Sequence, residues 1–159
     1  MYNKVIKHTV HTHMATISFK PKHSTKNLLS VLPVRAREVI VSRYGLGKNT
    51  QKMTLDAIGK NYGITRERVR QIENYALGNI RKSDAYKAEK VVFSELEILI
   101  HSLGGIVVDE DFLGSLSKDK SLQNHINFLL VIGDNFKKKK EDDDFKHRWH
   151  VNEPLSKQV

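Results

Sequence analysis

Thr54-Leu-Asp-Ala-Ile-Gly-Lys-Asn-Tyr-Gly-Ile-Thr-Arg-Glu-Arg-Val-Arg-Gln-Ile-Glu73 is the stretch on which the fold turns. Thr54 is a good N-cap, and Asp56 falls in the first turn, where the helix dipole favours negative charge. The pattern predicts a short helix over Leu55–Asn61. Gly63 supplies a turn residue that takes positive φ cheaply. Thr65 is a second N-cap and opens a helix running to about Arg81. Two helices crossing steeply need apolar contacts and a small residue where their backbones approach. Ile58, Tyr62, Ile64, Val69 and Ile72 provide the first, and Gly59 the second. This is the register of a helix-turn-helix.

The faces of the second helix follow from its period. Val69, Ile72, Ala76 and Ile80 point inward, whereas Arg66, Glu67, Arg70, Gln71 and Asn74 point outward. A helix entering the major groove N-terminus first presents such early residues to base edges. Arginine can donate two hydrogen bonds to guanine and glutamate can accept one from cytosine, each good contact giving roughly 1–3 kcal/mol of discrimination. Arg66, Glu67, Arg70 and Gln71 are therefore the candidate base readers. Lys60, Arg68, Arg43 and Arg81 are placed as phosphate anchors, which add affinity without sequence information. The alternative is a solvated helical face stitched by i,i+4 pairs. Arg66–Arg70 is repulsive and Glu67–Gln71 neutral, so neither pairing is a reason for these residues.

Upstream, Pro33 suits a helix start. Ala36, Val39, Ile40 and Tyr44 continue at helical spacing until Gly45 and Gly47, and a polar loop over Lys48–Met53 leads to Thr54. Together, Leu32–Leu46 and Thr54–Glu73 resemble region 4 of the primary-type bacterial sigma factors and the helix preceding its helix-turn-helix, over residues 32–82. The resemblance implies a module that reads the −35 promoter element and docks on the flap of the RNA polymerase β subunit. Matched by position, Arg66, Glu67, Arg70 and Gln71 become its base-proximal readers, and Arg43, Thr54 and Thr65 its contacts to the DNA backbone. Tyr75 stands where the family usually carries lysine, Ala57 where a second acid is common, and Asn79 in a stretch usually basic. Nothing resembles the sigma regions that bind the polymerase clamp and melt the −10 element, so the expected role is to recruit, modulate or repress. The alternatives are an adaptor or anti-initiation factor acting by protein contacts, and a dimer at a palindrome.

Downstream, Ser94-Glu-Leu-Glu97 is a capping-box pattern opening Leu96–Leu103, with an earlier start near Asp84 also open. Ile106–Val108 reads as a short strand, and Asp109–Leu116 and Leu122–Ile132 as helices. Phe136–Lys140 and Phe145–Val151 flank the polar turn Glu141–Asp144, with Trp149 and Val151 on one strand face and Arg148 and His150 on the other. This outlines a winged helix. Its third helix carries Gln123, Asn124, His125 and Asn127 for contact with protein or DNA. Lys137, Lys138, Lys139 and Lys140 are candidate wing contacts to a phosphate backbone, or charges that block edge pairing.

The expected fold is mainly α: a helix-turn-helix domain followed by a small winged-helix-like α+β domain. The expected divisions are a basic, flexible arm over 1–30, a helix-turn-helix domain over 31–83, a winged-helix domain over 84–151 and a tail over 152–159. Charge agrees with a polyanion partner. The chain carries a net +9, with five Lys/Arg and no acid in 1–30, 13 against six in 31–90, and nine against 12 thereafter. There is no cysteine, no apolar run long enough for a bilayer and no secretory leader, which points to a cytoplasmic protein away from membranes. No cofactor or metal is expected. His8, His11, His13 and His23 fit no ligand spacing. Glu141–Asp144 reads as a hairpin turn rather than a nuclease site, so an enzyme is not expected.

Overall fold

The computed structural model describes residues 16–139 and 148–151. Helix α1 (Pro21–Leu29) falls where the sequence reading expects an arm over 1–30. Its apolar signal is thin, because only Leu28 and Leu29 are strongly hydrophobic, but both are buried in the core. Pro21 begins the helix, its carbonyl accepting from Thr25 Oγ1 at 2.9 Å. Asn27 Nδ2 donates to Glu89 Oε1 at 3.0 Å, tying α1 to the downstream half. Residues 1–15 of the expected arm, with His8, His11 and His13, lie outside the described residues.

Helix α2 (Val34–Tyr44) starts after Pro33 and ends at Gly45, at φ +66°. Helices α3 (Leu55–Tyr62) and α4 (Arg66–Lys82) follow, close to the expected bounds. Ser83 then caps a short helix α5 (Asp84–Ala88), its Oγ accepting from Tyr86 N at 3.2 Å. Helix α6 (Lys90–Ser102) comes next, so Ser94 lies inside a helix and its capping-box reading is wrong. Val92 and Phe93 are buried, so the packed face of the helix begins before Ser94.

Strand β1 (Ile106–Val108), helices α7 (Asp109–Leu116) and α8 (Lys120–Ile132), and strands β2 (Phe136–Lys139) and β3 (Arg148–Val151) complete a winged helix. The sheet is antiparallel in the order β1-β3-β2, with Val107 opposite Trp149 and Phe136 opposite Val151. Trp149 and Val151 are buried, as the alternation requires. Lys140, the Glu141–Asp144 turn, Phe145–His147 and the 152–159 tail lie outside the described residues.

The two halves share one hydrophobic cluster. Leu28, Ile40 and Ile80 from the first half join Leu96, Phe128 and Trp149 from the second. Helix α8 is central to it: Asn124 through Leu130 are all buried. Asn124, His125 and Asn127 therefore face inward. Asn124 Nδ2 donates to Gly45 O at 3.0 Å and Thr50 O at 2.9 Å. The sequence reading placed these side chains on a contact helix for DNA or protein. The structure makes Asn124, His125 and Asn127 part of an internal joint.

Candidate nucleic-acid interface

Local chemistry sets the two helices of the motif. Thr54 Oγ1 accepts from Ala57 N at 3.1 Å, and Thr65 Oγ1 from Arg68 N at 3.1 Å, so both threonines are N-caps. Each hydroxyl keeps its proton free to donate, for example to a phosphate oxygen. A small core of Val39, Ile58 and Val69, flanked by Met53, Leu55, Tyr62, Ile64 and Ile72, clamps α3 and α4 onto α2. Gly59 lies at the closest approach: a Cβ there would sit 2.7 Å from Ile64 O.

This packing turns the first two turns of α4 outward. Arg66, Glu67, Arg68, Arg70 and Gln71 are all exposed, while Val69 is fully buried behind them. Arg70 grips Glu67 through two hydrogen bonds, Nε to Oε2 at 2.9 Å and Nη2 to Oε1 at 2.6 Å. That pairing holds the Glu67 carboxyl below its usual range and raises the Arg70 guanidinium. Arg68 Nη1 donates to Gln71 Oε1 at 3.3 Å. Both partnerships are i,i+3, a spacing the i,i+4 test in the sequence did not sample. Lys60 is exposed in the last turn of α3.

Two expected anchors also have internal tasks. Arg43 lies 3.4 Å from Glu73 Oε2 and donates from Nη1 to Met53 O at 3.2 Å. Tyr44 donates to Glu73 Oε1 at 2.8 Å, and burial, reinforced by that carboxylate, pushes its phenol far above the usual range. Glu73 is thus a brace between α2 and α4, a role invisible without the fold. Arg81 donates from Nε to Ile132 O at 3.0 Å and from Nη2 to Val131 O at 3.0 Å, with Asp134 at 3.7 Å. It caps the carboxyl end of α8 rather than standing free for phosphate. In the wing, Lys137 and Lys138 are exposed and Lys139 ends β2.

A tri-helical core with a capped, outward-facing second helix defines a helix-turn-helix DNA-binding fold. Residues 28–82 match the family described as Sigma-70, region 4. The sigma factor RpoS of Coxiella burnetii is 53% identical over 53 residues, which are 33% of this chain and 15% of that protein. SigA of Microcystis aeruginosa and SigA of Synechocystis are each 43% identical over 60 residues, 38% of this chain and 14% of theirs. Residues 28–82 therefore resemble a sigma-70 region 4 helix-turn-helix, over about a third of the chain. It spans about 15% of the length of these curated relatives. Among the described residues, no helix is long and apolar enough to cross a membrane.

Proposed function

We propose that the protein is a transcription regulator that binds promoter DNA at a −35-like element through α4. Arg66, Glu67, Arg70 and Gln71 meet base edges in the major groove, and Thr54, Lys60, Thr65 and Arg68 hold phosphates. Arg43 keeps donors beyond its bonds to Glu73 and Met53 and joins the phosphate contacts. The observation that carries this reading is the exposed start of α4, rigidly capped and cationic. The Glu67–Arg70 pair strengthens it: a guanidinium already oriented loses less entropy when it docks.

Fluorescence anisotropy with a −35-type duplex and a scrambled one tests the assignment. The wild type should prefer the element by about tenfold, or ~1.4 kcal/mol, at a salt concentration that suppresses non-specific binding. Arg66→Ala and Glu67→Ala should erode that preference, and Lys60→Ala should weaken both complexes about equally. Arg66→Ala losing the same affinity on both duplexes would refute its base-reading role.

A second reading has its own support. Pro33, Ala36, Ile64, Ile72 and Tyr75 line an apolar groove of about 240 Å³ on the flank of the motif. Val34 and Tyr75, at 65% and 60% exposed, stand out as large apolar groups in solvent. Such a face suits docking on RNA polymerase, with the β flap as the site proposed. Co-purification with polymerase in the absence of DNA would favour an adaptor acting mainly by protein contacts.

A further inference from the structure

Arg43, Lys52, Lys120 and Lys138, from four separate segments, lie near enough to the seam between the two halves for Lys52 to feel the charge of the other three. The loop preceding α3 is pinned there from both sides. Asn124 holds Thr50 O at 2.9 Å and Arg43 holds Met53 O at 3.2 Å, which fixes the backbone on either side of Lys52. Lys120 lies one turn before Asn124 on α8. Lys138 arrives on β2, its ammonium 3.9 Å from Asp109 Oδ2 and 5.3 Å from the centre of the Trp149 ring. Strand register puts Lys138 on the face of Trp149 and Lys137 on the opposite face with His150, so the two wing lysines are not equivalent.

The charges at the seam act on one another. Burial holds the Lys52 ammonium below its usual range; Asp109 opposes this, and Lys120, Lys138 and Arg43 add to it. Asp109 and Asp119 are already engaged. Asp109 faces Lys138 and accepts from Trp149 Nε1 at 2.6 Å, and Asp119 accepts from Ser121 N at 3.0 Å as the cap of α8. A fold that gathers like charges carries a repulsion that a polyanion relieves. The patch is also continuous with the DNA-binding face, because Lys52 lies two residues before Thr54, the cap of α3.

We propose that Lys52, Lys120 and Lys138, together with Arg43, form a second phosphate-binding surface that grips the DNA backbone flanking the element contacted by α4. This rests on the reading of α4 as the DNA-binding helix and extends the footprint onto the winged half. The winged half contributes through its seam face, since Asn124 to Leu130 of α8 are buried.

The test compares a short duplex holding the element alone with one extended by about one helical turn, ~10 bp, on each side. Wild type should bind the long duplex more tightly. A triple variant, Lys52→Gln with Lys120→Gln and Lys138→Gln, should lose that advantage and keep the wild-type preference for element over scramble on the short duplex. With three phosphates released, the slope of log K against log salt on the long duplex should flatten by about 2.7. That corresponds to about 40-fold less affinity lost between 50 and 200 mM salt than in the wild type. A control variant, Lys26→Gln with Lys87→Gln and Lys90→Gln, removes the same charge elsewhere and should retain the length advantage. The proposal is overturned if the seam variant keeps the wild-type slope, or if the control loses as much. Wild type that discriminates on the short duplex without gaining from length overturns this proposal alone. Wild type that binds neither duplex overturns the reading of α4 along with it.

Discussion

Asn124→Ala probes whether the polar face of α8 is an internal joint. The side chain is 1% exposed, and both protons of its amide nitrogen are used, on Gly45 O and Thr50 O. Truncation leaves two carbonyls facing the space the amide filled. An unsatisfied buried acceptor costs about 1–3 kcal/mol, and two that are partly reached by water should together cost about 3 kcal/mol. Against a total stability of about 5–15 kcal/mol this is large. In a domain of this size, 1 kcal/mol shifts Tm by roughly 2–4 °C, so a fall of about 6–12 °C is expected by calorimetry. Because the two halves share one core, the variant should still melt in a single transition. Thr50 lies in the loop that leads to Thr54, one of the proposed phosphate contacts, so affinity should also weaken on every sequence alike. A loss below about 0.5 kcal/mol, within the range of an ordinary surface substitution, would refute the reasoning. So would a melt that splits in two.

Three further outcomes follow from the same contacts. Gly59→Ala places a Cβ 2.7 Å from Ile64 O; backbone cannot yield there, so urea unfolding should show about 1–3 kcal/mol of destabilisation from overpacking, with DNA binding impaired as α3 and α4 part. Arg81→Ala removes the donors to Val131 and Ile132 carbonyls and should lower the urea midpoint while leaving the salt slope of DNA binding unchanged. A slope smaller by about 1 at unchanged stability would instead return Arg81 to the phosphate contacts. His125 is held below its ordinary value of 6.5, first by burial and then by Lys22, with the Leu46 backbone and Asp119 opposing. The unfolded chain therefore takes up the proton first. Stability should be intact above about pH 6.5 and decline as pH falls below it. His125→Gln should flatten that decline between pH 7 and pH 5, and parallel curves for the two proteins would contradict it.

The helix-turn-helix was legible because its constraints are local. Thr54 and Thr65 cap, Gly59 clears the crossing, and the apolar period of Val69, Ala76 and Ile80 shows the buried side. The strand pattern of the wing was legible for the same reason, as Trp149 and Val151 alternate with Arg148 and His150. What stayed hidden depends on long-range packing. Helix α1 buries Pro21, Ser24, Thr25, Leu28 and Leu29 at helical spacing, but only the last two are strongly hydrophobic, so the period does not show in the sequence. Asn124 and Asn127 read as solvent-facing side chains, and only the fold shows both buried, with Asn124 bonded to the 45–50 backbone. Arg81 and Glu73 look like free charges in the sequence, and their partners lie 51 and 29 residues away in the contacts with Ile132 and Tyr44.

Burying α8 has a mechanical consequence. In the winged-helix order of elements, α8 is the helix after the second helix and before the hairpin, the position from which a helix-turn-helix reads a groove. Here its Asn124 end is bonded to the 45–50 backbone and its Ile132 end to Arg81 on α4 itself. The winged half is thus held through one end of this element to the 45–50 backbone and through the other to α4, and the seam cations hold a fixed offset from Arg66 and Glu67. Phosphate contacts position without specifying, so a patch at fixed offset sets the direction in which the protein lies along the duplex. Extending the DNA on one side of the element should then restore the whole length advantage and extending it on the other should restore none. Which side responds gives the orientation of the winged half on the promoter, and equal gain from both sides would contradict the fixed offset.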